Sequence, residues 1–487
     1  MSPRIEIRRP PRPALLVALL ASSFLGCDPR KPLPPGPAAS RKPALHVLMI
    51  NGGATRAKNY QSHLLHLKEL RSLLLEARVD PARISIFSGD GEDPADDLAV
   101  RENLPADDFW LLEGTRLDAP LRTPLTHVSS SIPVAVLEPA TEASIRRWFE
   151  GAAARIRAGD TLLLYVTDHG RERGEPPQSE ITLWGEDEAL TVEELRELLE
   201  LPPPGLRIVS LMSQCHAGRF ANLVAETRPG SFCGFFSTTA DRLAYGCYPE
   251  NRGVENIGHS FELFRALAAA GRFPAAHEQV LVDDATPDVP IRTSDVFLAD
   301  LLSGRSDEEV NRLLRSAWGE PEKWAAEIDL LVRVGEAFGI EVPRSLADAG
   351  REAKRLVELA DEADAYAEAW RTALGDLRSA TLAIFLHARS DWAERVEEER
   401  LRKLERDAAR ELRAQILADL AAFLRSDPVR EARLRTLHER ARASRELAYR
   451  LEVREAALLR MEWLVTRLAG RLFLETLDQG SADARAW

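Results

Sequence analysis

The chain has 487 residues, more than one ordinary core holds, and this implies two or more domains. Apolar residues make up 45%, an ordinary globular share, while a net charge of −13 excludes general nucleic-acid binding, which needs a basic footprint. The four cysteines show no metal-ligand spacing.

Arg4, Arg8, Arg9 and Arg12 precede an apolar stretch over residues 14–25, short for a bilayer span, that ends at Gly26-Cys27. Residues 1–26 therefore read as a secretory signal. The ending "SFLGC" resembles a bacterial lipobox, which implies lipidation of Cys27 and a protein anchored in the inner or outer membrane of the cell envelope. An ordinary cleaved signal is the alternative. Asp28 resembles the inner-membrane retention signal of some bacteria. Residues 27–43, with "KPLPPGPAASRK", read as an extended tether.

Five apolar runs then predict strands: "LHVLMI" (45–50), "RISIF" (83–87), "TLLLYV" (161–166), "LRIVSLM" (206–212) and "SFCGFFS" (231–237). Between them "YQSHLLHLKELRSLLLEA", "TEASIRRWFEGAAARIRAG", "TVEELRELLE" and "GHSFELFRALAAAG" carry the helical period. Thr191 and Glu194 form a capping box ahead of the third helix. Apolar strands alternating with helices predict an α/β fold with a mostly parallel sheet covered on both faces. Residues 89–139 read as a long irregular insertion.

Beyond residue 303 the chain is rich in Ala, Leu, Arg and Glu, and is punctuated by Pro321, Pro343 and Pro428. This predicts an all-α C-terminal region whose charge runs are solvated faces held by i,i+4 pairs. The expected division is signal 1–26, tether 27–43, α/β domain 44–303 and helical domain 304–487. A partner protein for the helices is left open.

Two strand ends carry the chemistry. "TLLLYV" runs into Asp168-His169-Gly170 and "LRIVSLM" into Ser213-Gln214-Cys215. In a parallel sheet ligands bind beyond the carboxyl ends of the strands, and a right-handed helical crossover makes these two strands neighbours or near neighbours. A thiolate and an imidazole converging on one carbonyl is what thiol hydrolysis needs. Gly170 and Gly218 would let substrate backbone approach, and a helix starting after Cys215 would favour its thiolate. Cys233 and Cys247 read as a disulfide or as small buried residues, and Asp168 as a structural acceptor. A zinc site from Asp168, His169, Cys215 and His216 is a rival without ligand spacing to support it.

"YVTDHG" and "SQCHAG" resemble the His-Gly and Cys blocks of the caspase-like cysteine peptidases, closest to the legumain family. "INGGATRAKNY" (50–60) and "FSTTADRLAYGCYPENRGVENIGHSF" (236–261) resemble two further blocks in the family's order. The similarity covers residues 45–302, with gaps. It implies a caspase-like fold and a peptidase acting on protein or peptide substrates without metal or organic cofactor. Cys215 would be the nucleophile and His169 the general acid. The N–H groups of Gly170 and Cys215 would form the oxyanion hole, and Asn59, or else Asn51, would orient His169. His216 matches the metacaspase block and is expected to point away.

The family's charged specificity positions correspond here to Gln61, Ser213 and His259, so a neutral P1 side chain is expected. Asn311, near the expected domain junction, is the candidate for self-cleavage. Legumains carry a helical prodomain at the same end, which implies that residues 306–487 restrain the enzyme or recruit its substrate. Two rivals stand beside hydrolysis: transpeptidation, as in the GPI transamidase that shares the scaffold, and a non-catalytic anchored scaffold.

Overall fold

The structure is a computed structural model, and it describes residues 42–100, 107–123, 125–175, 177–226, 232–248, 255–256 and 258–477. The signal, Cys27 and most of the tether lie outside the described residues. Strands β1 (Leu45–Asn51) and β2 (Ile84–Ser88) are followed by β3 (Leu98–Val100), β4 (Thr126–Val128) and β5 (Leu137–Glu138). Next come β6 (Thr161–Val166), β7 (Gly170–Arg173), β8 (Gln178–Thr182) and β9 (Ala189–Thr191). The last are β10 (Arg207–Met212), β11 (Phe232–Phe236) and β12 (Ile291–Arg292).

Seven strands form the main sheet in the order β12-β11-β10-β6-β1-β2-β5. All neighbours pair in parallel except β11 and β12. Strand β6 is buried along its whole length, and β1 and β10 at every position but the first. Such strands need cover on both faces, and the helices supply it. Helix Gln61–Glu76 buries Leu64, Leu67, Leu70 and Leu74 at helical spacing. Thr141 caps Glu142–Arg155, and the capping box of Thr191 and Glu194 opens Val192–Glu200. The five apolar runs all form strands of this sheet. The short edge strands β5 and β12 carry too few residues to show a pattern in sequence.

The chain divides into two compact units at other places than residue 303. The first joins residues 1–99 and 127–349 to residues 459–487. The second joins residues 100–126 to residues 350–458. Residues 304–349 and the end of the long helix Pro428–Leu477 therefore belong with the α/β sheet, which corrects the expected boundary.

In the first unit two buried arginines of that helix end show why. The Arg460 guanidinium donates to the carbonyls of Leu281, Asp284, Thr286 and Asp288 at 2.7–3.2 Å. Arg467 makes a two-pronged ion pair with Asp295, 2.6 and 3.0 Å, with both groups buried.

The second unit has its own core. Phe109, Leu112 and Leu117 pack with Phe385, Trp392, Ile416 and Leu420. Arg413 donates to Leu121 O and Thr123 Oγ1, and the Trp392 indole to Asp419. The middle of the segment expected as irregular insertion is thus core material for the helices. Its Pro and Asp residues hide this from a periodicity reading.

Candidate active site

Val166 at the end of β6 faces Met212 at the end of β10, and Ser213 N–H donates to Val166 O at 2.8 Å. His169 and Cys215 each follow that pair by three residues, so neighbouring strands carry both to the same edge. On the other side of β6 lies β1, beyond which the chain had gone to β2. This reversal of strand order is the switch point where open α/β sheets bind ligands.

Cys215 is a free thiol, 4% exposed. Its sulfur accepts from Ala244 N–H at 3.2 Å. The Cys247 thiol, the Gly170 N–H and its own N–H also point at it. These donors, led by Cys247, hold the Cys215 thiol below its ordinary pKa against the opposing effect of burial. The helix expected next is a six-residue 3-10 segment, Ala217–Asn222, entered through His216 at φ 59°. The thiolate is therefore favoured by individual donors, not by a helix dipole. Cys247 is a free thiol too, so it forms no disulfide with Cys233.

The two glycines serve the protein's own backbone. A Cβ on Gly170 would lie 1.9 Å from the Cys215 carbonyl oxygen. One on Gly218 would lie 2.7 Å from Ala240 N. The expected role, room for substrate, gives way to close approach of the 168–170 and 238–240 segments to the nucleophile loop.

His169 Nε2 lies 2.9 Å from Lys58 O. A carbonyl only accepts, so Nε2 carries the proton of that bond. Tyr60 and His63 wall the ring edge-on, at 4.7 and 5.6 Å between centroids. His63 is kept far below its ordinary pKa, by burial first and then by His169 and His66, so it stays neutral.

Asn59, expected to orient His169, spends its side chain elsewhere. Its Oδ1 accepts from Asn51 Nδ2 at 2.9 Å, and its Nδ2 donates to Asp97 O and Oδ2 at 3.2 and 3.0 Å. Asp97 in turn accepts from Ser130 N–H and Oγ–H. Asn59 thus pins the loop whose preceding carbonyl, that of Lys58, reaches the ring. Asp168 is a clamp, with its carboxyl accepting from Gly53 N–H at 2.6 Å and His169 N–H at 2.5 Å. Burial pushes it up to about 7, with those N–H groups working against the rise.

Of the three positions expected to set specificity, two meet. Ser213 Oγ and His259 Nδ1 share a hydrogen bond of 3.0 Å, both residues buried. Burial, then Arg460 and His66, lower His259 to about 3. Gln61 stands half-buried at the first position of its helix. His216 Nδ1 sits 3.1 Å from Ala240 O and 3.6 Å from Glu172.

Among the described residues, His63, Asp168 and His169 form a group that could hold a metal ion, their ligand atoms within 4.8 Å of one another. The zinc set read from the sequence is not this one, because Cys215 and His216 are replaced by His63.

Three participants escaped the sequence reading. Lys58 and Ala244 act through backbone atoms, which leave no mark in side-chain identity. Cys247 lies in a quoted block, but a second cysteine suggested a disulfide.

No protein-family model matches the chain, and no curated protein matches it. Among solved structures, protein GSU0716 from Geobacter sulfurreducens aligns at 16% identity over 31% of this chain and 72% of its own, with a TM-score of 0.25.

Proposed function

We propose that the chain is a cysteine endopeptidase that works through Cys215 and His169 and reaches the cell envelope by a lipid on Cys27. The observation that carries this reading is the register of β6 and β10, which puts both residues three positions beyond one Cα pair. In this mechanism the Cys215 thiolate attacks the scissile carbonyl carbon. The N–H groups of Gly170 and Cys215 turn from the sulfur to the oxyanion. His169 donates a proton from Nδ1 to the departing amine, its Nε2–H held by Lys58 O. Water then hydrolyses the thioester and regenerates the thiol.

Ser213 and His259 argue for a neutral P1 residue. Neither carries charge, and the buried Arg460 guanidinium is near enough to lower His259 further. A second buried cation without a carboxylate partner would cost several kcal/mol.

An electrophilic peptide probe tests the reading. It should label Cys215 in the wild type and leave Cys215→Ala unlabelled. His169→Ala should hydrolyse peptides on the order of 10²–10⁴-fold more slowly while melting like the wild type. Peptide cleavage by Cys215→Ala near the wild-type rate would reject it. No described helix is long and apolar enough to cross a membrane. The proposed lipid on Cys27 is tested by Cys27→Ser, which should leave the membrane fraction.

A further inference from the structure

Cys215 and Cys247 form a small buried cluster with Ala244, set apart from the main core. Both are free thiols, 4% and 9% exposed, and their side chains are hydrogen-bonded to each other. The Cys247 thiol also lies 3.1 Å from Asp168 O, so its single hydrogen has two acceptors to choose between. Ala244 N–H, three residues before Cys247, donates to the Cys215 sulfur and ties the turn Tyr245–Cys247 to the nucleophile. Within that turn Gly246 has open space beside it. A disulfide needs the sulfurs at about 2.05 Å, closer than any hydrogen bond, so one side must move, and this turn has room to do so.

We propose that Cys215 and Cys247 are a redox modification site, joined reversibly in a disulfide that takes the nucleophile out of action. The oxidant is a peroxide. The Cys215 thiolate attacks one peroxide oxygen, the O–O bond breaks, and hydroxide leaves, giving a sulfenic acid. The Cys247 sulfur attacks the sulfenic sulfur, the S–O bond breaks, and the departing hydroxide takes the Cys247 proton. Two thiols and one hydrogen peroxide become one disulfide and two waters. A small dithiol reverses it by exchange.

The pairing fits the requirements for such a site. The sulfur attacked first is the one held toward its thiolate by surrounding donors, and the resolving thiol is already in contact with it. The hydrogen bond to Cys215, then burial, hold Cys247 toward its thiol form, so it does not compete for the oxidant. The secretory leader expected at residues 1–26 would place the chain where disulfides persist, which would give the bond an occasion to form. The loss of activity rests on Cys215 being the nucleophile, whereas bond formation does not.

The full-length protein, reduced and then exposed to hydrogen peroxide, tests both parts separately. A non-reducing peptide map should contain the Cys215 and Cys247 peptides linked, with loss of two hydrogens. Labelling of Cys215 by a small alkylating reagent should vanish on oxidation and return fully on dithiothreitol treatment. Cys247→Ser, oxidised in the same way, should go on to the sulfinic acid and fail to recover. Oxidised wild type with Cys215 as sulfinic acid and Cys247 still a thiol would overturn the proposal, as would linkage of either to Cys233 instead. If the disulfide forms but no peptide is cleaved by the reduced protein, the modification site stands and the peptidase reading falls.

Discussion

Ser213 and His259, 46 residues apart, are joined by a single buried hydrogen bond of 3.0 Å between Oγ and Nδ1. The strand end and the helix Gly258–Ala270 thus meet through two neutral, buried side chains. With His259 titrating only at about 3, this pair stays neutral through all working pH. A peptide library should show neutral P1 residues leading, with the same ranking at every pH above about 4, because the histidine carries no proton there. A ranking led by Arg, Lys or Asp, or one that changes across this range, would place the pocket elsewhere.

Cys247 is the leading cause of the lowered Cys215 pKa, ahead of the Ala244 and Gly170 N–H groups. A donor to the thiolate stabilises the charged form, so its loss raises the pKa. Cys247→Ala should therefore move the pH profile of iodoacetamide labelling at Cys215 to higher pH. At neutral pH the variant should label and cleave more slowly, with most of the loss regained in alkaline buffer. An unmoved profile would mean that the backbone donors suffice.

Gly170→Ala puts a methyl where the Cys215 carbonyl oxygen stands 1.9 Å away. Backbone cannot yield by a small side-chain rotation, so the segments carrying His169 and Cys215 must separate. A misplacement of about 1 Å is enough to cost on the order of 10²-fold in rate. The expected result is a fall in kcat of at least that size in a protein that still folds. Wild-type kcat would show that the approach of the two segments is not needed for catalysis.

Arg467 and Asp295 make the α/β unit depend on the far end of the chain. Arg467→Met leaves the Asp295 carboxylate buried with its main partner gone and should destabilise by about 3–5 kcal/mol. A chain truncated after Ser303 loses Arg460 and Arg467 together, and should fail to show a cooperative melt.

The same pair predicts an acid limb. Burial by itself raises Asp295, but Arg467 and Arg292 outweigh it and hold the carboxyl at about 2. A depressed folded pKa contributes stability above the unfolded value of about 3.9, and that stability is lost as pH falls through about 2. Asp168, at about 7, and Asp288, at about 8, act in the opposite sense, both raised chiefly by burial. They bind protons in the folded state that the unfolded state has released, so stability falls as pH rises from about 4 to about 8. Melting temperatures should peak on the acid side of neutrality. Asp288→Asn should flatten the decline, and an unchanged slope would count against this account.

The sheet was legible from residue types alone. Runs such as "TLLLYV" are apolar at nearly every residue without alternation, the pattern of a strand covered on both faces, and this one is buried along its whole length. The capping box at Thr191 and the helical spacing of Leu64, Leu67, Leu70 and Leu74 are local signals of the same kind, complete within a few residues. The ends of two such strands were enough to single out His169 and Cys215. What holds those side chains was not legible, because it depends on atoms far apart in the chain or on backbone groups common to all residues. Lys58 O against His169, Ala244 N–H and Cys247 against Cys215, and Arg467 against Asp295 are settled by chain path, not by residue type. The boundary at residue 303 failed for the same reason. Helical composition changes there, but tertiary packing decides which unit a helix joins, and residues 304–349 and 459–477 fall in the same compact unit as the sheet.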